Sequence, residues 1–210
     1  MNLRKYYSRA QNPKGFWGYR IIRVMNGKRH AALPEWVLAD LEIKEDAKIL
    51  DVGCGGGANI ARLLERCPQG NVTGLDYSTV ALEESKDYNY RNVVDKKCFI
   101  IGGNVSQLPL AKDRFDMVTA FETIYYWPSL ELGSEEVLRV LKPGGTFVIA
   151  NELDGLDPSY RKIETAVRML IYTIDEITEA LTKAGFKNIN ARHDEERHFI
   201  CVTATKPLTT

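Results

Sequence analysis

A glycine-rich segment constrains the fold of this chain more than any other part of its sequence. It runs Ile49-Leu-Asp-Val-Gly-Cys-Gly-Gly-Gly-Ala-Asn-Ile60. The residues before the glycines predict a short buried strand, and Ile60, Leu63 and Leu64 recur at helical spacing behind them. Glycine admits positive φ and lets a ligand approach the main chain, while the first N–H groups of a helix point toward the same place. The segment therefore predicts a strand, a tight turn and a helix that bind a nucleotide or nucleoside.

Length and composition predict one domain with a full hydrophobic core, since the chain has 210 residues of which 44% are hydrophobic. No apolar run reaches the roughly 20 residues of a membrane-spanning helix, and the first residues lack the apolar part of a signal peptide. These features predict a soluble, cytoplasmic protein. The cysteines at positions 54, 67, 98 and 201 lack Cys-x-x-Cys spacing. We therefore expect apolar packing roles for them, with neither a disulfide framework nor a bound metal.

The charge of the chain is zero overall but is unevenly distributed. Residues 1 to 30 carry eight Lys or Arg and no acid, which leaves a net charge of −8 on the rest. Aromatic residues are interleaved with these cations: Tyr6, Tyr7, Phe16, Trp17 and Tyr19. Such a segment could bind an anionic or ring-bearing substrate, or RNA. The alternative is a surface helix whose charges face water and whose apolar residues dock on the body: Trp17, Ile21, Val24 and Met25.

Predicted strands and helices alternate along the next part of the chain. Helices are expected over residues 16–29, from Pro34, and over 58–66, 78–90 and 135–141. Strands are expected over residues 48–52, 71–75, 97–101, 115–121 and 146–151, with a turn at Lys142 to Gly145 before the last of them. This alternation predicts a parallel sheet with right-handed crossovers and helices on both faces.

The pattern changes after residue 151. A small insertion at about residues 154–172 contains a helical pattern formed by Ile163, Val167, Leu170 and Ile171. A helix over residues 175–184 ends at Gly185, and strands over 187–192 and 198–205 flank a charged turn, which predicts an antiparallel hairpin. The predicted fold is a Rossmann-like, doubly wound, mostly parallel seven-stranded sheet with that hairpin at its edge.

The glycine segment by itself fits more than one class of ligand. Gly53-x-Gly55-x-x-Ala58 satisfies the loose dinucleotide pattern, and Asp76 lies about 20 residues further on, where a ribose-binding acid is expected. An NAD(P)-dependent oxidoreductase is therefore one hypothesis. Against it, Asp51 would repel a pyrophosphate but attract an amino group, and the terminal hairpin departs from a plain nucleotide-binding sheet. A non-catalytic RNA-binding or regulatory module that uses the basic segment is a further alternative.

A set of motifs in order carries a family resemblance. They are Ile-Leu-Asp51-Val-Gly53-Cys-Gly55-Gly-Gly57, Asp76 at the second strand end, Leu-Pro109-Leu, and Val-Leu-Lys142-Pro-Gly-Gly145. The set resembles the class I S-adenosylmethionine-dependent methyltransferases, in the type 11-like small-molecule branch that includes the quinone methyltransferases. The resemblance implies a methyltransferase domain over residues 47–206 that uses S-adenosylmethionine, releases S-adenosylhomocysteine and methylates a small molecule. We expect the helices of residues 1–46 and the insertion to form a lid.

The resemblance also implies a role for individual residues. The main chain of the glycine turn would hold the methionine end of the cofactor, with Asp51 near its ammonium group. Asp76 would accept hydrogen bonds from both ribose hydroxyls, Tyr77 would pack on the adenine, and Asn104 takes a position often filled by Asp. The implied cofactor-binding residues are Asp51, Gly53, Cys54, Gly55, Gly57, Asp76, Tyr77, Asn104, Val105 and Glu122.

Catalytic candidates lie mainly in the segment Phe121-Glu-Thr-Ile-Tyr-Tyr-Trp-Pro128, which follows the fourth strand at the edge where open α/β folds bind ligands. Glu122 is a potential base, and Tyr126 is one of three adjacent rings that either contact the substrate or form ordinary packing. His30 is a further candidate base, although a single histidine is more often a surface or capping residue. Methyl transfer needs a base only if the acceptor must lose a proton, so the sequence leaves the methylated atom open.

Overall fold

The computed structural model describes residues 15–27, 30–157, 164 and 169–208, without the side chains of Phe16, Ile21 and Met25. Tyr6, Tyr7 and six of the eight N-terminal cations lie outside the described residues, as do Ile163 and Val167 of the predicted insertion. The chain divides into two compact units, which cover residues 1–104 and 105–210.

Three parallel strands form the sheet of the first unit, in the order β3-β2-β1. They are β1 (Lys48–Val52), β2 (Asn71–Asp76) and β3 (Cys98–Gly102). In this register Asp51 lies opposite Gly74, and Asp76 at the carboxyl end of β2 lies opposite Gly102. The three predicted strands are thus confirmed, with ends that differ by at most one residue.

Five helices accompany these strands in the described part of the first unit: α1 (Gly15–Met25), α2 (Ala32–Ala39), α3 (Ala58–Arg66), α4 (Thr79–Tyr88) and α5 (Tyr90–Val94). The predicted bounds of α3 are confirmed, and Gly57 stands directly before it with a left-handed φ of 82°. Ser78 caps α4 as predicted by accepting the N–H of Ala81. Helix α4 ends before Asn89 rather than continuing to Tyr90, and a separate helix, α5, begins at Tyr90.

Helix α1 docks on α4 through a different face from the predicted one. Trp17 and Val24 are 57% and 58% exposed, so the prediction that they dock on the body is wrong. Ile22 is buried instead, in a cluster with Val80 and Ala81. The apolar pattern alone had indicated the opposite side of the helix.

Polar contacts explain this rotation of α1. The Arg23 guanidinium holds both carboxylate oxygens of Glu84 on α4, with an Nη2 to Oε1 distance of 3.0 Å, and the Tyr19 hydroxyl donates to Glu83. The Glu84 side chain is almost fully buried, and an unpaired buried carboxylate is costly. Pairing it with Arg23 therefore selects the face of α1 that meets α4.

The second unit combines a parallel pair with an antiparallel hairpin, in the strand order β4-β5-β7-β6. Its elements are β4 (Phe115–Phe121), a 3₁₀ turn (Ile124–Tyr126), α6 (Leu130–Val140), β5 (Leu141–Asn151), α7 (Ile174–Ala184), β6 (Lys187–Asp194) and β7 (Phe199–Thr205). Strands β4 and β5 are parallel, whereas β7 is antiparallel to both β5 and β6. The described strands of both units number seven and are mostly parallel, which confirms the predicted Rossmann-like fold class.

Three local predictions in the second unit are wrong. The segment Lys142 to Gly145 belongs to β5 instead of preceding it. Leu141 pairs with Phe115 and Thr146 pairs with Met117, so the four residues between Leu141 and Thr146 form a bulge in the strand. Helix α6 begins at Leu130 rather than Glu135, because the Ser129 hydroxyl accepts the N–H of Leu132 and caps it there.

The third correction concerns the insertion. Leu170 and Ile171 lie outside any helix. The Leu170 N–H donates to the Tyr125 carbonyl at 3.0 Å and the Ile171 N–H to the Glu164 carboxylate at 2.9 Å, in place of helical bonds.

All four cysteines are buried and free. None of the helices in the described part of the chain has the length and apolarity that a membrane crossing requires. The same residues contain no group of three or more His, Cys, Asp or Glu side chains arranged to hold a metal ion.

Candidate functional site

In the glycine turn of the first unit, Gly55 has open space beside it, whereas Gly57 is closely surrounded by other atoms. Gly55 and Gly57 both have positive φ, at 51° and 82°. A Cβ added at Gly57 would lie 2.5 Å from the Asn89 amide nitrogen and from the Ser85 hydroxyl, so no side chain fits there. A Cβ added at Gly55 would meet no atom within 4 Å. The space next to Gly55 is therefore where a ligand can approach the backbone.

The N–H groups of the turn are largely used within the protein. Gly53 and Cys54 donate to the Leu75 carbonyl at 2.7 and 3.0 Å, and Gly57 donates to the Cys54 carbonyl at 3.0 Å. The Gly55 N–H donates to Asp76 Oδ2, also at 3.0 Å. A phosphate-binding turn offers such N–H groups to the anion. This turn offers fewer donors to a pyrophosphate than the dinucleotide hypothesis requires.

Two buried carboxylates flank the turn. Asp51 lies on β1 before it, and Asp76 lies at the end of β2 with its Oδ1 accepting the Ser78 N–H at 2.8 Å. Burial raises the pKa of Asp76, while the N–H donors act in the opposite direction. Each carboxylate oxygen has a second lone pair, so contacts to ribose hydroxyls are compatible with these bonds. Asp76 thus also shapes the turn, a role that the sequence did not indicate.

The remaining candidates of the first unit differ in exposure. Tyr77 is half exposed, and partial burial together with the charge of Asp76 raises its pKa to about 12. Asn104 is exposed, in the segment after β3. The Cys54 thiol is buried, and burial raises its pKa well above the ordinary value, so it packs as a neutral group. His30 is partly buried and lies just before α2.

Helix α1 contacts the glycine turn directly. The Asn26 amide, just past the end of α1, donates to the Gly56 carbonyl at 2.8 Å. A Cβ at Gly56 would fall 2.4 Å from Asn26 and 2.6 Å from Ile22, so the absence of a side chain allows this approach. The sequence did not indicate this contact, because nothing local links residues 26 and 56.

Asn26→Ala is expected to destabilise the protein by about 0.5–1.5 kcal/mol through the lost hydrogen bond. Urea unfolding measures the change. Asn190→Ala is the matched control, because that exposed amide donates to the carbonyl of nearby Asn188; we expect it to alter stability by less than about 0.5 kcal/mol. Equal effects from the two substitutions would contradict a structural role for the Asn26 contact.

Glu122 occupies a strained position at the end of β4 in the second unit. Its φ is 56°, which is uncommon for a residue with a side chain and is often found at functional sites. Its Oε1 accepts the Tyr125 hydroxyl at 3.1 Å and the Glu152 N–H. Burial of the carboxyl, with a further contribution from Glu152, raises its pKa to about 8. Glu122 is therefore mainly protonated at neutral pH and becomes a base only at higher pH.

The three rings after Glu122 have different environments. Tyr125 is buried, and its hydroxyl accepts the Leu153 N–H at 3.1 Å. Trp127 is buried and stacks on Phe147 with ring centroids 6.3 Å apart. Tyr126 remains partly exposed and meets Tyr125 edge to face at 6.2 Å. Trp127 is thus a packing residue, and Tyr126 is the ring that a ligand can reach.

One acid and two histidines form a cluster in the second unit that was not predicted from the sequence. The Asp154 side chain is 3% exposed, and its Oδ2 lies 3.1 Å from His193 Nε2 and 2.9 Å from His198 Nδ1. Burial alone would raise the pKa of Asp154, but the Leu156 N–H and the two imidazoles lower it below its ordinary value. The only signal in the sequence was an acid soon after the fifth strand and a histidine at each end of the hairpin turn.

Comparisons with known proteins cover both units. The methyltransferase domain family, type 11, matches residues 50–149. The sterol 24-C-methyltransferase of Kluyveromyces lactis is 33% identical over 168 residues, 73% of this chain and 45% of that enzyme. The sterol 24-C-methyltransferase erg6 of Aspergillus fumigatus is 32% identical over 199 residues, 88% of this chain and 52% of that enzyme. The chain spans about half the length of these relatives.

A solved structure shows the same fold over nearly the whole chain. The crystal structure of a SAM dependent methyltransferase from Aquifex aeolicus has a TM-score of 0.75 and 19% identity, covering 90% of this chain and 98% of that one. The resemblance predicted from the ordered motifs is confirmed. Residues 50–149 match the methyltransferase domain family, and the chain has the fold of that solved SAM dependent methyltransferase.

Proposed function

We propose that this chain binds S-adenosylmethionine at the glycine turn of its first unit and transfers the methyl group to a small-molecule acceptor, releasing S-adenosylhomocysteine. The observation that carries the proposal is the open space beside Gly55, in a turn that follows the buried Asp51 and whose Gly55 N–H donates to the buried Asp76. Carboxylates suit a ligand that offers an ammonium group and hydroxyls. They do not suit a pyrophosphate, and most N–H groups of the turn are already engaged.

Within this proposal each candidate of the first unit keeps the role that the family resemblance implies. Asp51 holds the ammonium group, Asp76 accepts from the ribose, and Tyr77 and Asn104 contact the adenine. Cys54 contributes its main chain, because its thiol is buried. We likewise propose that the cofactor or the acceptor is contacted by Val105, Glu122 and Tyr126 of the second unit. A role of His30 as a base is also part of the proposal.

The bound cofactor would supply the electrophile, a methyl group on a positively charged sulfur. The protein's task is then to align the acceptor and exclude water, and positioning of this kind can contribute up to about 7–11 kcal/mol. Burial raises the pKa of Glu122 and favours its neutral form, whereas the positive charge of a bound sulfonium would act in the opposite direction. Above pH 8 its carboxylate would favour a cationic ligand.

The N-terminal helices are proposed to form part of a lid over the acceptor pocket. Support comes from the contacts of Asn26 and Ile22 with Gly56, which bring α1 against the turn itself. The insertion of residues 154–172 is proposed to take part in covering the acceptor. The names of the relatives, sterol 24-C-methyltransferases, support a small-molecule acceptor over a nucleic acid. A cytoplasmic location stays a prediction from the sequence.

Calorimetric titration with S-adenosylhomocysteine and, separately, with NAD and NADP tests the cofactor. We expect binding of S-adenosylhomocysteine only. Binding of a nicotinamide cofactor alone would overturn the proposal and favour an oxidoreductase.

Asp76→Ala is expected to weaken S-adenosylhomocysteine binding by about 1–3 kcal/mol, because two hydrogen bonds to the ribose are lost. Urea unfolding of the same variant separates this effect from loss of the bonds to Gly55 and Ser78. Asp113→Ala is the control, since that exposed acid of the second unit pairs with Lys206. Unchanged affinity in Asp76→Ala, with the variant folded, would refute the ribose role.

A further inference from the structure

Strand β3 is an edge strand without a charged residue. It reads Cys98-Phe-Ile-Ile-Gly102, and among the described strands it pairs only with β2. The edge strand of the second unit, β6, instead carries Lys187, Arg192 and Asp194. Folded proteins usually place charges on an exposed edge, because the unpaired N–H and C=O groups there can bind a further strand. Strand β3 lacks this protection, which makes its edge a candidate binding surface.

The hydrogen bonds between β2 and β3 show which backbone groups of β3 face away from β2. The Val72 N–H donates to the Lys97 carbonyl, and the Gly103 N–H donates to the Asp76 carbonyl. In a parallel pair, successive residues of a strand alternate between bonding the neighbouring strand and pointing away from it. The N–H and C=O groups of residues 98, 100 and 102 therefore point outward. No loop or helix backbone in the described part of the chain bonds to these outward groups.

Apolar side chains are also exposed on β3 and on the helix before it. Phe99 is 43% exposed. Tyr90 and Val94, four residues apart on α5, are more exposed still, and none of the residues of α5 is buried. Residues four apart share one face of a helix, and α5 lies against β3. Exposed apolar residues grouped in this way are typical of a surface that another protein covers.

We propose that two copies of this chain form a dimer through β3, in antiparallel orientation about a two-fold axis at Ile100. Ile100 then exchanges two hydrogen bonds with Ile100 of the second copy, since its N–H and C=O both point outward. The same register pairs Cys98 with Gly102 of the second copy on each side of the axis, and these residues also point outward. Such an interface closes at two chains. The inference does not depend on the proposed methyl transfer.

The side chains around β3 favour a second copy in this orientation. Phe99 lies opposite Ile101 of the second copy, and a pair of an aromatic and a β-branched residue stabilises neighbouring strands. The exposed Lys96 and Lys97 precede the strand. Antiparallel pairing places them beside the uncharged residues 103 and 104 of the second copy, whereas parallel pairing would bring the lysines of both copies together. Because like charges directly opposite each other are destabilising, the edge is complementary to itself only in the antiparallel orientation.

Sedimentation equilibrium of the whole chain measures the association directly. The weight-average molar mass should rise with concentration toward twice the 23.8 kDa of one chain and stop there. The mass of one chain at every concentration would overturn the proposal and leave the edge to a different partner. Growth beyond two chains would overturn it as well, because a two-fold interface closes at two.

Phe99→Lys tests the surface. This change should raise the dissociation constant of the dimer about tenfold, because both pairs of Phe99 with Ile101 are lost and two lysines come to lie diagonally across the axis. Leu132→Lys is the matched control, since Leu132 is similarly exposed, at 51%, but lies on α6 of the second unit. Urea unfolding shows whether each variant is folded. Equal association of Phe99→Lys and wild type, or an equal effect of Leu132→Lys, would contradict the assignment.

Single cysteines test the register, even if Phe99→Lys does not fold. Ile100→Cys places two thiols at the axis with Cα atoms about 5.5 Å apart, within the usual span of a disulfide. Phe99→Cys leaves its two thiols diagonal, with Cα atoms about 7–8 Å apart, beyond that span.

Mild oxidation should therefore convert Ile100→Cys into a covalent dimer several-fold faster than Phe99→Cys, although residue 99 is the more exposed of the two. Wild type is the control, and its cysteines are all buried. Faster cross-linking of Phe99→Cys, or no cross-link in either variant, would overturn the proposal.

Discussion

Glu122→Gln should make the protein markedly more stable than wild type at alkaline pH while changing its stability little below pH 5. The folded protein raises the pKa of this carboxyl from 4.5 to about 8. Its contribution to stability is therefore present below the unfolded pKa and is lost as pH rises through the folded pKa. At about 1.36 kcal/mol for each pKa unit, the advantage of the glutamine variant should reach on the order of 4 kcal/mol near pH 9.

Urea unfolding at pH 5, 7 and 9 measures this difference. The glutamine side chain would retain the oxygen that accepts the Tyr125 hydroxyl and the Glu152 N–H, so the comparison isolates the charge. Glu196→Gln on the exposed hairpin turn is the control, and its stability should follow that of wild type throughout. A constant offset between Glu122→Gln and wild type across the three pH values would show that the carboxyl is not held in its neutral form.

Gly57→Ala is expected to lower the free energy of unfolding by about 2–5 kcal/mol. A left-handed conformation costs a residue with a side chain about 1–2 kcal/mol, and crowding a packed site costs about 1–3 kcal/mol more. Both costs apply, because φ is 82° and the new methyl group would overlap the Asn89 and Ser85 side chains. Denaturant unfolding measures the loss.

Gly55→Ala is the matched substitution within the same turn. Its φ of 51° gives the same conformational cost of about 1–2 kcal/mol, but nothing lies within 4 Å of the added methyl group. We therefore expect a smaller loss of stability together with loss of S-adenosylhomocysteine binding, because the methyl group occupies the proposed ligand space. Normal cofactor affinity in a folded Gly55→Ala protein would contradict the assignment of that space.

Much of the fold could be predicted because it depends on neighbours in the chain. The bounds of β1, α3 and β4 were predicted correctly, since apolar runs, a glycine turn and helical periodicity are local signals. The hairpin was also predicted, because only a few residues separate its strands. Prediction failed where the Ser129 cap starts α6 early and where β5 takes in Lys142–Gly145 as a bulge.

The candidate site was predictable only in part. Asp51, the glycines and Asp76 follow directly from two strand ends, whose positions the alternating pattern determines. The pKa of Glu122 did not follow, because it arises from burial and from Glu152, which is distant in sequence. The separation of buried Trp127 from partly exposed Tyr126 likewise depends on Phe147, a residue of another strand.

The sequence by itself determined the alternation of strands and helices, the glycine turn and the acids beside it, because each depends on the few residues around it. Only the tertiary structure decided which face of α1 meets α4, that Asn26 reaches the Gly56 carbonyl, and that Asp154 receives His193 and His198. Those contacts join residues 30 to 61 positions apart. They require the register of a sheet or the rotation of a helix. One step in a strand turns a side chain to the opposite face, and one step along a helix turns it by about 100°.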